Sequence, residues 1–205
     1  MVPVGELIGV VLAGGKSSRM GRPKELLEVS GVRLVDRMVA RLREVTHEVW
    51  VSGEVEGHLC ISDALPAMGP LGGLSSVLEY ALRKNLAARG LIFVPVDMPQ
   101  IGKIHLQELK QGLVSSQEVL AVHFEGFPLP MALRIHPGAQ HILLRCITDS
   151  RLSVHAFLEL LGESSNLKIL PLESLGHAAF LNINTPEEFQ EFFEESEESE
   201  DERPT

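Results

Sequence analysis

The sequence predicts an α/β protein, a three-layer α/β/α sandwich with a mostly parallel sheet. Three observations predict it. The runs ELIGVVL at 6–12 and LIFVPV at 91–96 are short, β-branched and apolar on both alternating sets of positions, as strands buried on two faces are. Segments with apolar residues three and four apart alternate with such runs along the chain. The 205 residues, 44% apolar and 22% charged with 18 Gly and two Cys, suit one generous core. They exclude a collagen, a disulfide scaffold and a disordered chain.

The elements follow in order. The first strand ends at Leu12, where Ala13, Gly14 and Gly15 make a tight loop. Leu34, Met38, Leu42 and Val45 mark an amphipathic helix over 34–45. HEVWVS at 47–52 and LCIS at 59–62 read as strands. Gly69 and Pro70 mark a turn, and Leu71 to Leu86 has helical periodicity through Leu74, Val77, Leu78, Ala81 and Leu82. LIFVPV, the strongest strand, runs into Asp97 and Pro99. A helix is expected over 104–113, strands over 119–124 and 129–134, and a helix over 140–146. Asp149 or Ser150 is placed to cap a helix reaching Leu161, followed by the strand LKIL at 167–170. Phe180, Leu181 and Ile183 form a last apolar stretch. Thr185, Pro186 and Glu188 then spell a capping box with proline at the first helical position, and the helix they start is expected to fray beyond Phe193. With no repeat and no long linker, one domain is expected over 1–194, with a disordered acidic tail over 195–205.

No apolar run approaches the roughly 18 residues of a membrane span, and no signal-peptide pattern opens the sequence. Cys60 and Cys146 stand without CxxC or Cys/His clustering and are expected to be reduced and buried, so the expected location is the cytoplasm. The net charge of −10 divides unevenly. Ten acids lie within 187–202, which leaves 17 basic against 18 acidic side chains over 1–186. A neutral body argues against wrapping nucleic acid. Within it, Lys16, Arg19, Arg22, Lys24, Arg33, Arg37, Arg41 and Arg43 face only Glu25, Glu28 and Asp36. Such a basic segment beside a glycine turn suits a small phosphorylated ligand.

In open parallel sheets ligands bind beyond the carboxyl ends of the strands, which selects LAGGKSSRMGRPK at 12–24 and VPVDMP at 94–99. The first is neither GxxxxGK[ST] nor GxGxxG, yet its glycines let backbone N–H groups approach an anion while Lys16, Arg19 and Lys24 bring charge. A solvated basic loop is the bland alternative. Asp97, at a strand terminus opposite that loop, is a candidate Mg²⁺ ligand; an Asx turn ahead of Pro99 is its alternative.

LAGGKSSRMGRPKELLEVSG has the form LAGGxSxRMGxxKxLL and resembles the signature of nucleotidyltransferases with a Rossmann-like α/β sandwich. GPLGGL at 69–74, VPVDMP, FPLPMALR at 127–134 and FLNINTPEEF at 180–189 resemble later blocks of the molybdenum cofactor guanylyltransferase family. The resemblance covers most of residues 7–193. It implies transfer of GMP from GTP to the phosphate of molybdopterin, with Mg²⁺ as cofactor and molybdopterin or Mo-molybdopterin as acceptor; for so labile a cofactor, handover to an insertion or delivery protein is physically sensible.

By the same resemblance Leu12, Ala13 and Gly14, continued by Gly15, match the loop that holds base and ribose. Arg19 and Lys24 match groups that neutralise the triphosphate, Asp63 an acidic position near the nucleoside, and Asp97 the metal ligand. Asn182 and Asn184 match a motif near the acceptor phosphate or metal. Asp63 as a turn residue before Pro66, Asn184 as a strand terminator and GPLGGL as a plain turn into a helix are the structural alternatives. Cytidylyltransferases acting on the same cofactor usually read LAAG, so Gly14 leaves room for a purine and favours GTP over CTP. Another nucleotidyltransferase of that kind, a sugar- or polyol-phosphate enzyme, or a non-catalytic nucleotide-binding module are the rival readings. No catalytic role falls on any of the eight His.

Overall fold

The computed structural model describes residues 6–13, 23–29, 31–65, 68–86, 88–172 and 177–183, with Thr185 and Glu188 besides. The strands are β1 (Leu7–Leu12), β2 (Glu28–Val29), β3 (Val32–Arg33), β4 (Glu48–Ser52), β5 (Cys60–Ile61), β6 (Gly90–Pro95), β7 (Ala121–Phe124), β8 (Phe127–Arg134) and β9 (Leu167–Leu170). The helices are α1 (Leu34–Arg43), α2 (Gly69–Arg83), α3 (Lys103–Val114), α4 (Pro137–Thr148) and α5 (Val154–Glu163).

Seven strands form one sheet in the order β5-β4-β1-β6-β8-β7-β9, and β2 pairs with β3 in a separate hairpin. β1 pairs parallel with both β4 and β6, while β8 runs against both β6 and β7 and is the one reversed strand of the large sheet. The alternation along β1 explains its unbroken apolar run. Ile8, Val10 and Leu12 join the core under α2, α4 and α5, and Leu7 and Val11 join the core under α1 and α3. β6 does the same with Leu91 and Phe93 on one side and Ile92 and Val94 on the other. Two cores on the two faces of one sheet make the three layers expected from the sequence.

Local chemistry sets the ends of these elements, and several differ from expectation. α2 begins at Gly69 and stops at Arg83, so GPLGGL is its first turn and a half rather than a turn ahead of it. Helix α4 starts at Pro137, where His136 caps it by accepting from Gly138 N (3.0 Å), and it extends to Thr148. Asp149 and Ser150 therefore close α4 instead of opening α5. Asp149 N donates back to Arg145 O, and Ser150 takes a left-handed φ of 57°. The cap of α5 is Ser153, whose extended backbone lets its hydroxyl accept from Ala156 N (3.1 Å). The β2–β3 hairpin, with Gly31 at φ 74° between its strands, was not expected; each strand is too short to show periodicity. The capping box is present: Glu188 N donates to Thr185 Oγ1 (3.1 Å) and Thr185 N to Glu188 Oε2 (3.3 Å).

Cys146 is buried, but Cys60 is only half-buried and its thiol donates to Val55 O (3.2 Å), so it is not the inert core residue expected. No described helix is long and apolar enough to cross a membrane. The acidic tail over 195–205 and the helix beyond Glu188 lie outside the described residues.

Candidate active site

The sheet order brings the carboxyl ends of β4, β1 and β6 side by side, with β1 in the middle. Backbone hydrogen bonds continue the sheet past the strand ends. Val96 N donates to Leu12 O (3.2 Å) and Ala13 N to Ser52 O (3.1 Å), which fixes the exit of β1 between its neighbours. Leu12 and Ala13 are buried, so their side chains fill the core and only their backbone can face a ligand. Gly53 follows β4 at φ 131°, and a Cβ there would stand 2.4 Å from Ala13 O. Both the backbone angle and the close approach require glycine at this position.

The 3₁₀ turn Lys24–Leu26 delivers Lys24 across the end of β6. Lys24 Nζ donates to Asp97 Oδ2 (3.0 Å) and to Ile183 O (3.0 Å), while Ile183 N donates to Asp97 O (2.9 Å). Three segments separated by 73 and 159 positions thus converge at one point. The Lys24 and Asp97 side chains are 17% and 21% exposed, which makes the pair partly desolvated but open to an incoming ligand. Phe180 anchors the third segment. It is buried against Phe124 (5.0 Å between ring centroids), Phe127 (4.8 Å) and His105 (5.4 Å), and from it the chain runs three residues to Ile183.

On the β4 side, Asp63 Oδ1 accepts from Leu65 N (2.8 Å) and Ser76 Oγ (3.2 Å), and Ala64 N donates to Ser76 Oγ (3.0 Å). This Asx turn fastens the chain after β5 to α2. A Cβ on Gly72 would stand 2.4 Å from Leu65 O and 3.1 Å from both carboxylate oxygens, so the helix approaches the turn as closely as glycine permits.

Among the described residues no group of three His, Cys, Asp or Glu could hold a metal. Among the described residues the site offers a cation one carboxylate and one carbonyl oxygen, Asp97 Oδ2 and Ile183 O, both turned toward an ammonium. Hard oxygen donors in small number fit Mg²⁺ or Mn²⁺, which draw their remaining ligands from water and phosphate.

The model of the MobA-like NTP transferase domain matches residues 9–168. A molybdenum cofactor guanylyltransferase of Xanthomonas euvesicatoria is 38% identical over 189 residues, covering 92% of this chain and 95% of the relative. The chain belongs to the molybdenum cofactor guanylyltransferase family. It is accordingly an enzyme, a nucleotidyltransferase of molybdenum cofactor biosynthesis. The crystal structure of molybdopterin-guanine dinucleotide biosynthesis protein A from Archaeoglobus fulgidus shares its fold, with a TM-score of 0.73 at 20% identity, covering 94% of this chain and all of that one. A Mycobacterium tuberculosis protein solved in complex with manganese shares the fold at a TM-score of 0.60 and 16% identity, covering 92% of this chain and 98% of that one.

In this member of the guanylyltransferase family, the structure brings together Leu12, Ala13, Lys24 and Asp97. Asn182 lies on the surface one residue before the buried Ile183. Asp63 is engaged in its turn. Gly14, Gly15, Lys16, Arg19, Arg22, Pro66 and Asn184 lie outside the described residues. Among the described residues, two cations of the basic window are taken up by neighbouring carboxylates. Arg33 pairs with Asp36 (2.7 Å) and Arg41 with Glu44 (3.2 Å), so these charges are offset locally on and beside α1. His58 Nε2 meets the same Asp36 (2.8 Å), tying the loop after β4 to the start of α1.

Sequence reasoning missed Ser76, Gly53 and the carbonyl of Ile183. A carbonyl carries no residue identity, and only the pairing of Ile183 with Asp97 reveals it. A groove of about 730 Å³ at the opposite end of the sheet, lined by Glu6, Arg43, His47 and Lys110, is remote from this chemistry.

Proposed function

We propose that this enzyme transfers GMP from GTP to the phosphate of molybdopterin, giving molybdopterin guanine dinucleotide and pyrophosphate. The observation that carries the reading is the Lys24–Asp97 pair at the carboxyl ends of β1 and β6 (3.0 Å). An oxygen of the acceptor phosphate forms a bond to the α-phosphorus of GTP, and the bond from that phosphorus to the bridging oxygen of the β-phosphate breaks. The electron pair leaves with pyrophosphate. A phosphate monoester has a second pKa near 6 and is largely ionised at pH 7, so no general base is needed. Catalysis reduces to positioning and charge neutralisation.

The backbone of Leu12 and Ala13, continued by Gly14 and Gly15, holds the base and ribose against the exit of β1. Asp63 faces the nucleoside. Lys24, with Arg19, leaves its resting partner and offsets charge on the α-phosphate and the leaving pyrophosphate. Asp97 holds Mg²⁺, which supplies further neutralisation of the triphosphate when bound. Asn182 and Asn184 serve the acceptor phosphate. Residues 1–194 serve as one nucleotidyltransferase domain, and the acidic residues 195–205 as a solvating tail. The two cysteines are free, in keeping with a cytoplasmic enzyme, and handover of the labile product to a delivery protein completes the reading.

Pyrophosphate release tests the reading, with Mg²⁺, molybdopterin and each of GTP, CTP, ATP and UTP. Release with GTP alone is expected. Preference for CTP would make the enzyme a cytidylyltransferase and overturn the use of Gly14. Stabilisation by GTP without release would mark a binding module.

A further inference from the structure

Asp97 and Ile183 aim two oxygens at one point, and an ammonium fills it. Lys24 Nζ lies 3.0 Å from each, while the Ile183 N–H to Asp97 O bond (2.9 Å) locks the two oxygen-bearing segments together. This is a cation seat built from hard oxygens, and its occupant is a side chain of the protein itself. We propose that Lys24 and the divalent metal alternate at this seat. In the nucleotide-free enzyme Lys24 holds it and excludes the metal; the phosphates of the nucleotide draw Lys24 away and open it. The inference rests on the nucleotidyl-transfer reading and adds to it an order of binding and a second oxygen, Ile183 O, at the metal.

Three features support the exchange. Among the described residues the seat carries one formal negative charge, that of Asp97, so a divalent ion and an ammonium together would leave it strongly positive. The seat is joined through backbone and its occupant is held only by its side chain: Ile183 N donates to Asp97 O, whereas Lys24 reaches in on a four-carbon stem from a 3₁₀ turn and can swing away without moving either segment. A triphosphate brings enough negative charge to hold both cations apart from one another, Lys24 on the phosphates and the metal between phosphate and Asp97. Binding of metal and nucleotide is then coupled, and by linkage each tightens the other.

The test is Mn²⁺ binding to the full-length protein without nucleotide, read from the paramagnetic resonance signal of free Mn²⁺. It compares the wild type, Lys24→Met and the double variant Lys24→Met/Asp97→Asn, with thermal melts to establish folding. Lys24→Met is expected to bind Mn²⁺ at least about tenfold more tightly than the wild type, and the double variant to lose that gain. An unchanged affinity in Lys24→Met would overturn the proposal, as would a gain that survives the second substitution. Lys24→Gln serves in the same comparison should the methionine variant not fold. GMP transfer by the wild type is assayed separately. Tight Mn²⁺ binding by Lys24→Met together with no transfer from GTP by the wild type would refute the guanylyl reading and keep the seat, and transfer by the wild type without the gain in affinity in Lys24→Met would do the reverse.

Discussion

Lys24 Nζ stands 3.0 Å from Asp97 Oδ2, joining a 3₁₀ turn to the end of β6 across 73 positions of sequence. The pair spans two strand exits and lies where the sheet presents its ligand-binding edge. An ion pair with water at its rim contributes little to folding, on the order of 1 kcal/mol. On the proposed mechanism its value is to chemistry. Asp97→Asn and Lys24→Ala are each expected to lower kcat by about 10²–10³-fold. The midpoint of urea unfolding should move little in either variant; a large loss of stability with retained turnover would contradict the assignment.

Gly53 makes a close backbone contact beside the β1 exit. Gly53→Ala puts a methyl 2.4 Å from Ala13 O at a backbone angle that alanine rarely adopts. A cost of about 1–3 kcal/mol is expected. The displaced Ala13 backbone should also raise the KM for GTP while leaving that for the acceptor unchanged. Steady-state kinetics in both substrates, run beside a thermal melt, checks both.

Asp63 has a structural task, so its substitution alone cannot reveal a second one. Ser76→Ala removes one donor to its carboxylate and should cost about 1 kcal/mol with GTP binding intact. Asp63→Ala also strips the acceptor from Leu65 N, and on the proposed role it should weaken GTP binding beyond the loss of stability. Equal GTP affinities in the two variants would confine Asp63 to its turn.

Acid stability follows from two carboxylates. The Arg33 guanidinium, opposed by burial and aided by His58, holds Asp36 below its ordinary range, and the hydrogen bond from Lys110 lowers Glu6. A lowered native pKa stabilises the fold above the unfolded value, near 4, and that contribution vanishes as pH falls through the lower native value. Stability should therefore decline below about pH 4, and less steeply in Asp36→Asn. Urea titrations at pH 3 and pH 5 measure the difference.

Phe180 secures the segment that carries Ile183. Its ring packs edge-on to Phe124 and His105 and tilts over Phe127. Phe180→Ala should cost about 3–5 kcal/mol. Turnover of the fraction still folded should fall as well, because Ile183 would no longer be held to Asp97. Unaltered kcat per folded molecule would separate this anchor from the site.

Much of the fold was legible because burial on both faces leaves continuous apolar runs. β1 and β6 show this, and the capping box at Thr185 and Glu188 was spelled out in side chains. The ends of α4 and α5 were not, since Asp149, Ser150 and Ser153 all suit a helix cap. Backbone conformation chooses among them, and Ser150 at φ 57° ends one helix while extended Ser153 begins the next.

By itself the sequence determined the order along the chain of the seven strands of the large sheet and of the five described helices, though not the β2–β3 hairpin, and it singled out the two strand ends proposed to carry chemistry with the residue types gathered there. These are local properties, written in periodicity, turn residues and motif spacing. Tertiary structure alone decided that β8 runs against its neighbours, because periodicity is the same in either direction. It also decided that Lys24 rests on Asp97 and that the carbonyl of Ile183 shares the seat. A contact between side chain and backbone across 159 positions depends on how the whole sheet is wound.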